Sequence, residues 1–238
     1  MTGRRWGVAI VAITLLTALM ASSGSAASLS LTSQTLTPYR TCTISATPAT
    51  TTSVIDATVR QASPTSNFGS LTSLTVASAS AANQRSYLKF GLEACSPAIP
   101  STATVRLATL RLYMTAIPAA CRTIDLFRVG SSWSESGITW NSQPFGTAIN
   151  NPASGSRTGT FNVGTPSGCQ NQAAGYVVGG TVTSDVAAFV AGTSTNFGWM
   201  ARDDVEGSST VRTTTLSSEE LASVGQVPQL VVTYVTVP

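Results

Sequence analysis

Arg85-Ser86-Tyr87-Leu88-Lys89-Phe90 and Leu110-Arg111-Leu112-Tyr113-Met114 alternate apolar and polar residues with a period of two. A pleated strand sends successive side chains to opposite faces. Leu88, Phe90, Leu110, Leu112 and Met114 therefore face a core, and Arg85, Tyr87, Lys89, Arg111 and Tyr113 face the other way. Short runs rich in Val, Ile, Thr, Leu and aromatics recur over 54–60, 73–77, 85–92, 105–115, 123–129, 158–163, 197–202, 211–215 and 229–235, with Gly, Pro, Asn and Ser between them. Nine short strands with frequent turns predict an all-β, two-layer β-sandwich. One segment departs from this pattern. Ser184 at an N-cap, Asp185 in the first turn, apolar Val186, Phe189 and Val190, and Gly192 past the end predict a single short helix plugging one end of the sandwich. No repeat of fixed period is present, which argues against a solenoid or propeller.

The first 27 residues have the three parts of a secretory signal: basic Arg4 and Arg5, an apolar run from Trp6 to Met20, and a small-residue tail ending at Ala27. An apolar run of about 15 residues is too short to span a bilayer, which takes roughly 20. Export, cleavage and an extracellular product without a membrane segment are expected. Residues 28–53 are dominated by Ser, Thr, Ala and Pro and read as an arm or linker pinned by Cys42. The sandwich is expected over 54–236. All four cysteines, Cys42, Cys95, Cys121 and Cys169, lie past the leader, and none belongs to a CxxC pair. Two disulfides are expected in an oxidising compartment. Of the three connectivities, Cys95 with Cys121 and Cys42 with Cys169 is preferred, because Cys95 and Cys121 flank one predicted strand.

Composition narrows the chemistry. Charged residues make up 10% of the chain, and Ser and Thr number 32 and 36 among 238 residues. The chain has no histidine, which excludes Ser-His-Asp and Cys-His catalysis and histidine-bound metals. Without Arg4 and Arg5 the exported chain carries a net charge of +1, so it lacks the electrostatic footprint of a nucleic-acid binder. No cofactor is expected.

Arg85, Tyr87 and Lys89 on one strand face, with Arg111 and Tyr113 on another, build a basic-aromatic surface that Arg60 and Arg128 extend. Such a surface suits an acidic sugar, because guanidinium forks a carboxylate and a ring stacks on a pyranose. Exposed strands also carry such residues for solubility and edge protection. Trp133 and Trp140 bracket a polar loop and read as anchors holding it to a core, and Trp199 reads as core. A glycosidase needs two facing carboxylates. Glu135, Asp185, Asp203, Asp204, Glu206, Glu219 and Glu220 show no spacing that demands catalysis. Asp203-Asp204-Val205-Glu206-Gly207 is acidic enough for calcium but reads better as a solvated turn, since it lacks the EF-hand pattern. Asp56 is a further possible calcium ligand, and no metal ligand is assigned.

These residues carry a family resemblance. Asp56-Ala57-Thr58-Val59-Arg60, Asn67-Phe68-Gly69, Arg85 to Phe90, Ala108 to Tyr113, Phe127-Arg128-Val129, Trp133-Ser134-Glu135 with Thr139-Trp140-Asn141, Asp185-Val186, Asn196-Phe197-Gly198 and Pro228 to Val232 follow in the order of a DNRLRE-type domain, also grouped as carbohydrate-binding module family 96. The resemblance spans about residues 54 to 236. It implies a jelly-roll-like sandwich without catalysis, an alginate-type acidic polysaccharide as ligand, and basic contacts at Arg60, Arg85, Lys89 and Arg111. The chain departs from the family near Thr214 to Glu219, where it lacks the arginine of a Ser-Arg-Glu run.

The reading that follows is a secreted, non-catalytic module holding an extracellular polysaccharide through Arg60, Arg85, Tyr87, Lys89, Arg111 and Tyr113. Two competitors stand beside it: a structural or adhesion sandwich of the cell envelope that binds no glycan, and a lyase or hydrolase that would release new chain ends.

Overall fold

The computed structural model describes residues 38–46, 53–223 and 225–236. The expected leader and most of the expected arm lie outside the described residues. All nine predicted runs are strands: β2 (Val54–Arg60), β3 (Ser73–Ser78), β4 (Gln84–Phe90), β5 (Thr104–Ala116), β6 (Arg122–Arg128), β7 (Gly159–Val163), β9 (Trp199–Asp203), β10 (Arg212–Ser217) and β11 (Gln229–Val235). Two further strands were not anticipated. β1 (Arg40–Ser45) falls inside the stretch read as an arm and pairs with β11 from Arg40↔Tyr234 to Ser45↔Gln229. Its Ser/Thr-rich sequence hid it, since only Ile44 reaches the core. β8 (Gly175–Thr181) contains three glycines and no alternation. The predicted helix is α1 (Thr183–Val190), whose N-cap is Val182, two residues before the expected Ser184, and which packs Val186 and Phe189 into the core.

β2, β4, β9, β6 and β7 form one layer in that order. β1, β11, β5, β10 and β3 form the other, with β8 along β5. Every ladder between these strands is antiparallel, and the single pair Ala77↔Gln84 between β3 and β4 curls the two layers into one continuous sheet. Between them Leu88, Phe90, Leu126 and Trp199 of the first layer meet Leu110, Leu112, Leu216 and Leu230 of the second, all fully buried.

The first layer also buries its outer face. Ala57, Val59, Tyr87, Phe127, Val129 and Met200 project from it into a second apolar cluster, closed by Ile138 and Trp140 from the loop that follows β6. Trp133 packs on the same cluster and donates its indole N–H to the Phe197 carbonyl at 2.8 Å. The two tryptophans are thus the anchors their spacing suggested. The 30-residue connection from β6 to β7 has almost no regular structure and stays ordered because it covers an apolar sheet face that would otherwise meet water.

The disulfides are Cys42–Cys95 and Cys121–Cys169, not the pairing expected from sequence. β5 explains why. Its 13 residues hold the flanking loops about 40 Å apart at strand rise, whereas a disulfide needs Cα atoms within about 7 Å. Cys42 instead ties edge strand β1 to the turn after β4, and Cys121 ties the β5–β6 loop to the β7–β8 loop.

Two Asn-Phe-Gly turns use the same side-chain clamp, Asn67 on the Glu135 and Ile138 carbonyls of the covering loop and Asn196 on strand β4. Asn196 Nδ2 donates to the Phe90 carbonyl at 2.7 Å, and Gly198 N–H donates back to Asn196 Oδ1 at 3.1 Å. Gly198 sits at φ +76°, and a Cβ there would lie 2.0 Å from the Leu88 carbonyl oxygen. Because both the φ angle and the space exclude a side chain, Gly198→Ala should destabilise the domain by more than about 1 kcal/mol. A lower denaturant midpoint at unchanged slope is the expected result.

Candidate functional site

Alternation places Arg85, Tyr87 and Lys89 on the outer face of β4, as expected, but that face is not solvent. Arg85 and Tyr87 are each 0% exposed, which corrects the reading of them as surface contacts. The loop over 130–157 lies on top of them. Arg85 spends all five of its N–H groups inside the protein. Nε and Nη2 fork Glu206 at 2.7 and 2.8 Å, Nη1 donates to Gln143 Oε1 and the Gly146 carbonyl, and Nη2 also donates to the Ala148 carbonyl. Its guanidinium lies 4.7 Å from the Trp140 ring. Tyr87 gives its hydroxyl hydrogen to Gln143 Oε1 at 3.0 Å. Burial drives its ionisation far above the ordinary phenol range. A saturated, buried guanidinium has no donor left for a ligand.

The rest of the expected set is divided by the sandwich. Arg60 stacks at 4.1 Å on Phe68, and burial lowers its pKa. Lys89 is half-buried and lines a hollow of 310 Å³ with Glu93 and Asn196. Arg111 and Tyr113 lie on the outer face of the opposite layer, so the two strips do not merge into one surface. There Arg111 stacks at 4.6 Å on Tyr176 and donates to Gln229 Oε1, while Tyr113 meets Tyr176 edge-on and accepts from Gln226 Nε2. All three side chains remain half-buried.

A groove of 470 Å³ opens where the covering loop rejoins the sheet, lined by Arg128, Arg157, Phe145, Thr158, Ser184 and Asp185. Arg128 closes β6 and Arg157 precedes β7, so adjacent strand ends bring the two arginines together. Each rests on a carboxylate beneath it: Arg128 Nη1 is 3.3 Å from Asp185 Oδ1, and Arg157 Nε is 3.6 Å from Asp125 Oδ1. The arginine side chains are each 44% exposed and the aspartates 7% and 0%. Asp185 is itself held by the Trp199 indole N–H at 2.8 Å. Solvent in the groove therefore meets two oriented guanidiniums whose countercharges are buried. The sequence places Arg128 as an extension of the basic-aromatic surface and gives no signal for Arg157, which sits in an irregular stretch without periodicity.

The Asp203–Glu206 turn, weighed as a calcium loop, is used otherwise. Asp203 and Asp204 both pair with Arg122, and Glu206 pairs with Arg85. A different acidic cluster forms from residues distant in sequence: Asp56, Glu135 and Glu220 bring carboxylate oxygens within 4.8 Å of one another. Burial, then the charge of Glu220, raises the Asp56 carboxyl well above its usual range. Burial, with the charge of Glu135 added, pushes Glu219 and Glu220 up to about 7 from 4.5. The folded chain thus holds protons that the unfolded chain has released. In metal-free buffer Glu219 and Glu220 cost nothing below about pH 4.5, and their contribution lowers stability as pH rises toward about 7, with Asp56 adding to the loss from a lower pH. Glu220→Gln should match the parent in thermal melts at the acid end and melt above it at neutral pH.

Removing the Arg85 side chain strands Glu206, whose side chain is 0% exposed, as an unpaired buried charge. Arg85→Ala should cost about 3 to 5 kcal/mol. The double variant with Glu206→Ala should cost less than the sum of the two single changes, as read from chemical denaturation.

No curated protein matches this chain. The model of carbohydrate-binding module family 96 matches residues 47–234, a span that takes in both layers from β2 onward, the covering loop and the groove. On the length of that match, the chain belongs to carbohydrate-binding module family 96.

Proposed function

We propose that this carbohydrate-binding module is exported and retains an extracellular acidic polysaccharide, of the alginate kind, in the groove of Arg128 and Arg157. The observation that carries this reading is the pair of half-exposed guanidiniums seated on buried aspartates. Each arginine keeps N–H groups turned to the groove, and a planar fork is the geometry that a uronate carboxylate accepts. Phe145 gives the groove an apolar patch, and Thr158 and Ser184 offer hydroxyls. The buried aspartates fix the arginines in advance, which lowers the ordering cost of binding. The leader sequence and the two disulfides support export.

Binding without bond cleavage fits the family and the placement of the acids. Asp56, one of three clustered carboxylates, is 1% exposed on an inward strand face, out of reach of a polymer. One other surface has specific support: the half-buried cluster of Arg111, Tyr113 and Tyr176 on the opposite layer offers a cation and two rings for a sugar.

Affinity electrophoresis through an alginate-containing gel separates these readings. The parent chain should be retarded, and retardation should fade as salt rises, because exposed charges are screened. Arg128→Ala with Arg157→Ala should migrate as if no polymer were present but melt below the parent, because Asp185 and Asp125 lose their countercharges. Arg128→Lys with Arg157→Lys, which keeps the charges and loses the planar forks, should melt close to the parent and be retarded less. Retardation lost only in Arg111→Ala with Tyr176→Ala would move the site to the opposite layer. A parent chain that is never retarded by acidic or neutral glycans would favour the structural sandwich.

A further inference from the structure

Asp56, Glu135 and Glu220 come from three separate parts of the fold: β2, the covering loop, and the connection from β10 to β11. Among the described residues none of them, nor the adjoining Glu219, takes part in an ion pair. Asp56 Oδ2 accepts the Glu219 N–H at 2.8 Å, but Oδ1 is buried without any partner. An unpaired oxygen on a carboxylate that is 1% exposed is a costly arrangement unless a cation completes it.

The surrounding contacts hold the other carboxylates in place. Glu135 Oε1 accepts the Asp56 N–H at 2.8 Å, which fixes it along the free edge of β2. The Glu135 backbone is clamped in turn by the first Asn-Phe-Gly turn, with Asn67 Nδ2 donating to its carbonyl at 2.6 Å. Gly69 packs so closely that a Cβ there would lie 2.8 Å from Glu135 Cγ. Glu220 is anchored at its N–H by Ser218 Oγ at 3.1 Å, and its carboxylate also meets that hydroxyl.

We propose that Asp56, Glu135 and Glu220 hold one calcium ion, which ties the edge of β2 to the covering loop and to the β10–β11 connection. The donors are all oxygen and all anionic, which selects a hard cation over zinc or copper. Calcium sits 2.3–2.6 Å from each ligand, so opposite ligands lie up to about 5 Å apart, a span that fits oxygens within 4.8 Å of one another. Glu135 and Glu220 are half-buried, leaving one side of the ion for water, as its coordination of six to eight requires. The site stands apart from the arginine groove and does not depend on the glycan reading.

The test uses the purified chain freed of metal with EDTA. Calcium chloride titrated by calorimetry should bind at one site per chain with Kd on the order of 10⁻⁴ M or tighter, the range of extracellular modules and below. The melting temperature should rise with calcium concentration by mass action, and magnesium should do less. Glu220→Gln, at a half-exposed position that should fold normally, and Asp56→Asn should each weaken calcium binding at least tenfold. Equal melting temperatures in EDTA and in calcium would overturn the proposal. So would a calcium response that survives both substitutions.

Discussion

Arg85 is the residue on which the first layer's architecture turns. A guanidinium taken out of water is tolerable only when every N–H finds an acceptor and the charge finds a partner. Glu206, Gln143 and two loop carbonyls supply these. Satisfying Arg85 means folding the loop over 140–148 onto the strand, and that folding buries Trp140 and Tyr87 beneath it. Arg202 repeats the device further along. It is 0% exposed, donates to the carbonyls of Asp203, Asp204 and Pro152, and lies 4.9 Å from the Phe127 ring. Two buried cations thus draw one long loop down over a sheet face and seal a second apolar layer.

The covering loop decides where a ligand can bind. With the outer face of the first layer sealed, its strip of cation and aromatic residues becomes internal scaffolding. Accessible guanidiniums remain where the loop ends, at Arg128 and Arg157. Arg128 meets Asp185 through one N–H at 3.3 Å and Arg157 lies 3.6 Å from Asp125 without a hydrogen bond, so in the groove the charge pairs leave donors unsaturated. The same chemistry thus serves as a clamp when closed and, in the proposed reading, as a recognition surface when left open. On the other edge of the layer, the loop delivers Glu135 to Asp56, so the covering segment also assembles the acidic cluster.

Alternation made most of this fold legible in the sequence. The runs at 54–60 and 229–235 end where the strands end, and the helix N-cap falls two residues before the expected Ser184. Bracketing tryptophans correctly marked Trp133 and Trp140 as anchors. Period-two patterning tells which face a side chain takes and says nothing of what lies above that face, so Arg85 and Tyr87 read as surface. The covering loop has no period of its own. β1 and β8 carry too few large apolar residues to announce themselves, while the run at 105–115 already spanned about 36 Å at strand rise, enough to rule out the expected disulfide pairing. Asp56 and Glu135 are 79 residues apart, and no local motif joins them.

The account divides the arginines into those spent inside the fold and those left for a ligand, and side-chain NMR of arginine Nε–H groups reads that division directly. During titration with an acidic oligosaccharide, the Nε–H resonances of Arg128 and Arg157 should shift with saturation, while that of Arg85 stays slow to exchange and fixed in position. Movement of the Arg85 resonance with Arg128 and Arg157 unmoved would contradict the account.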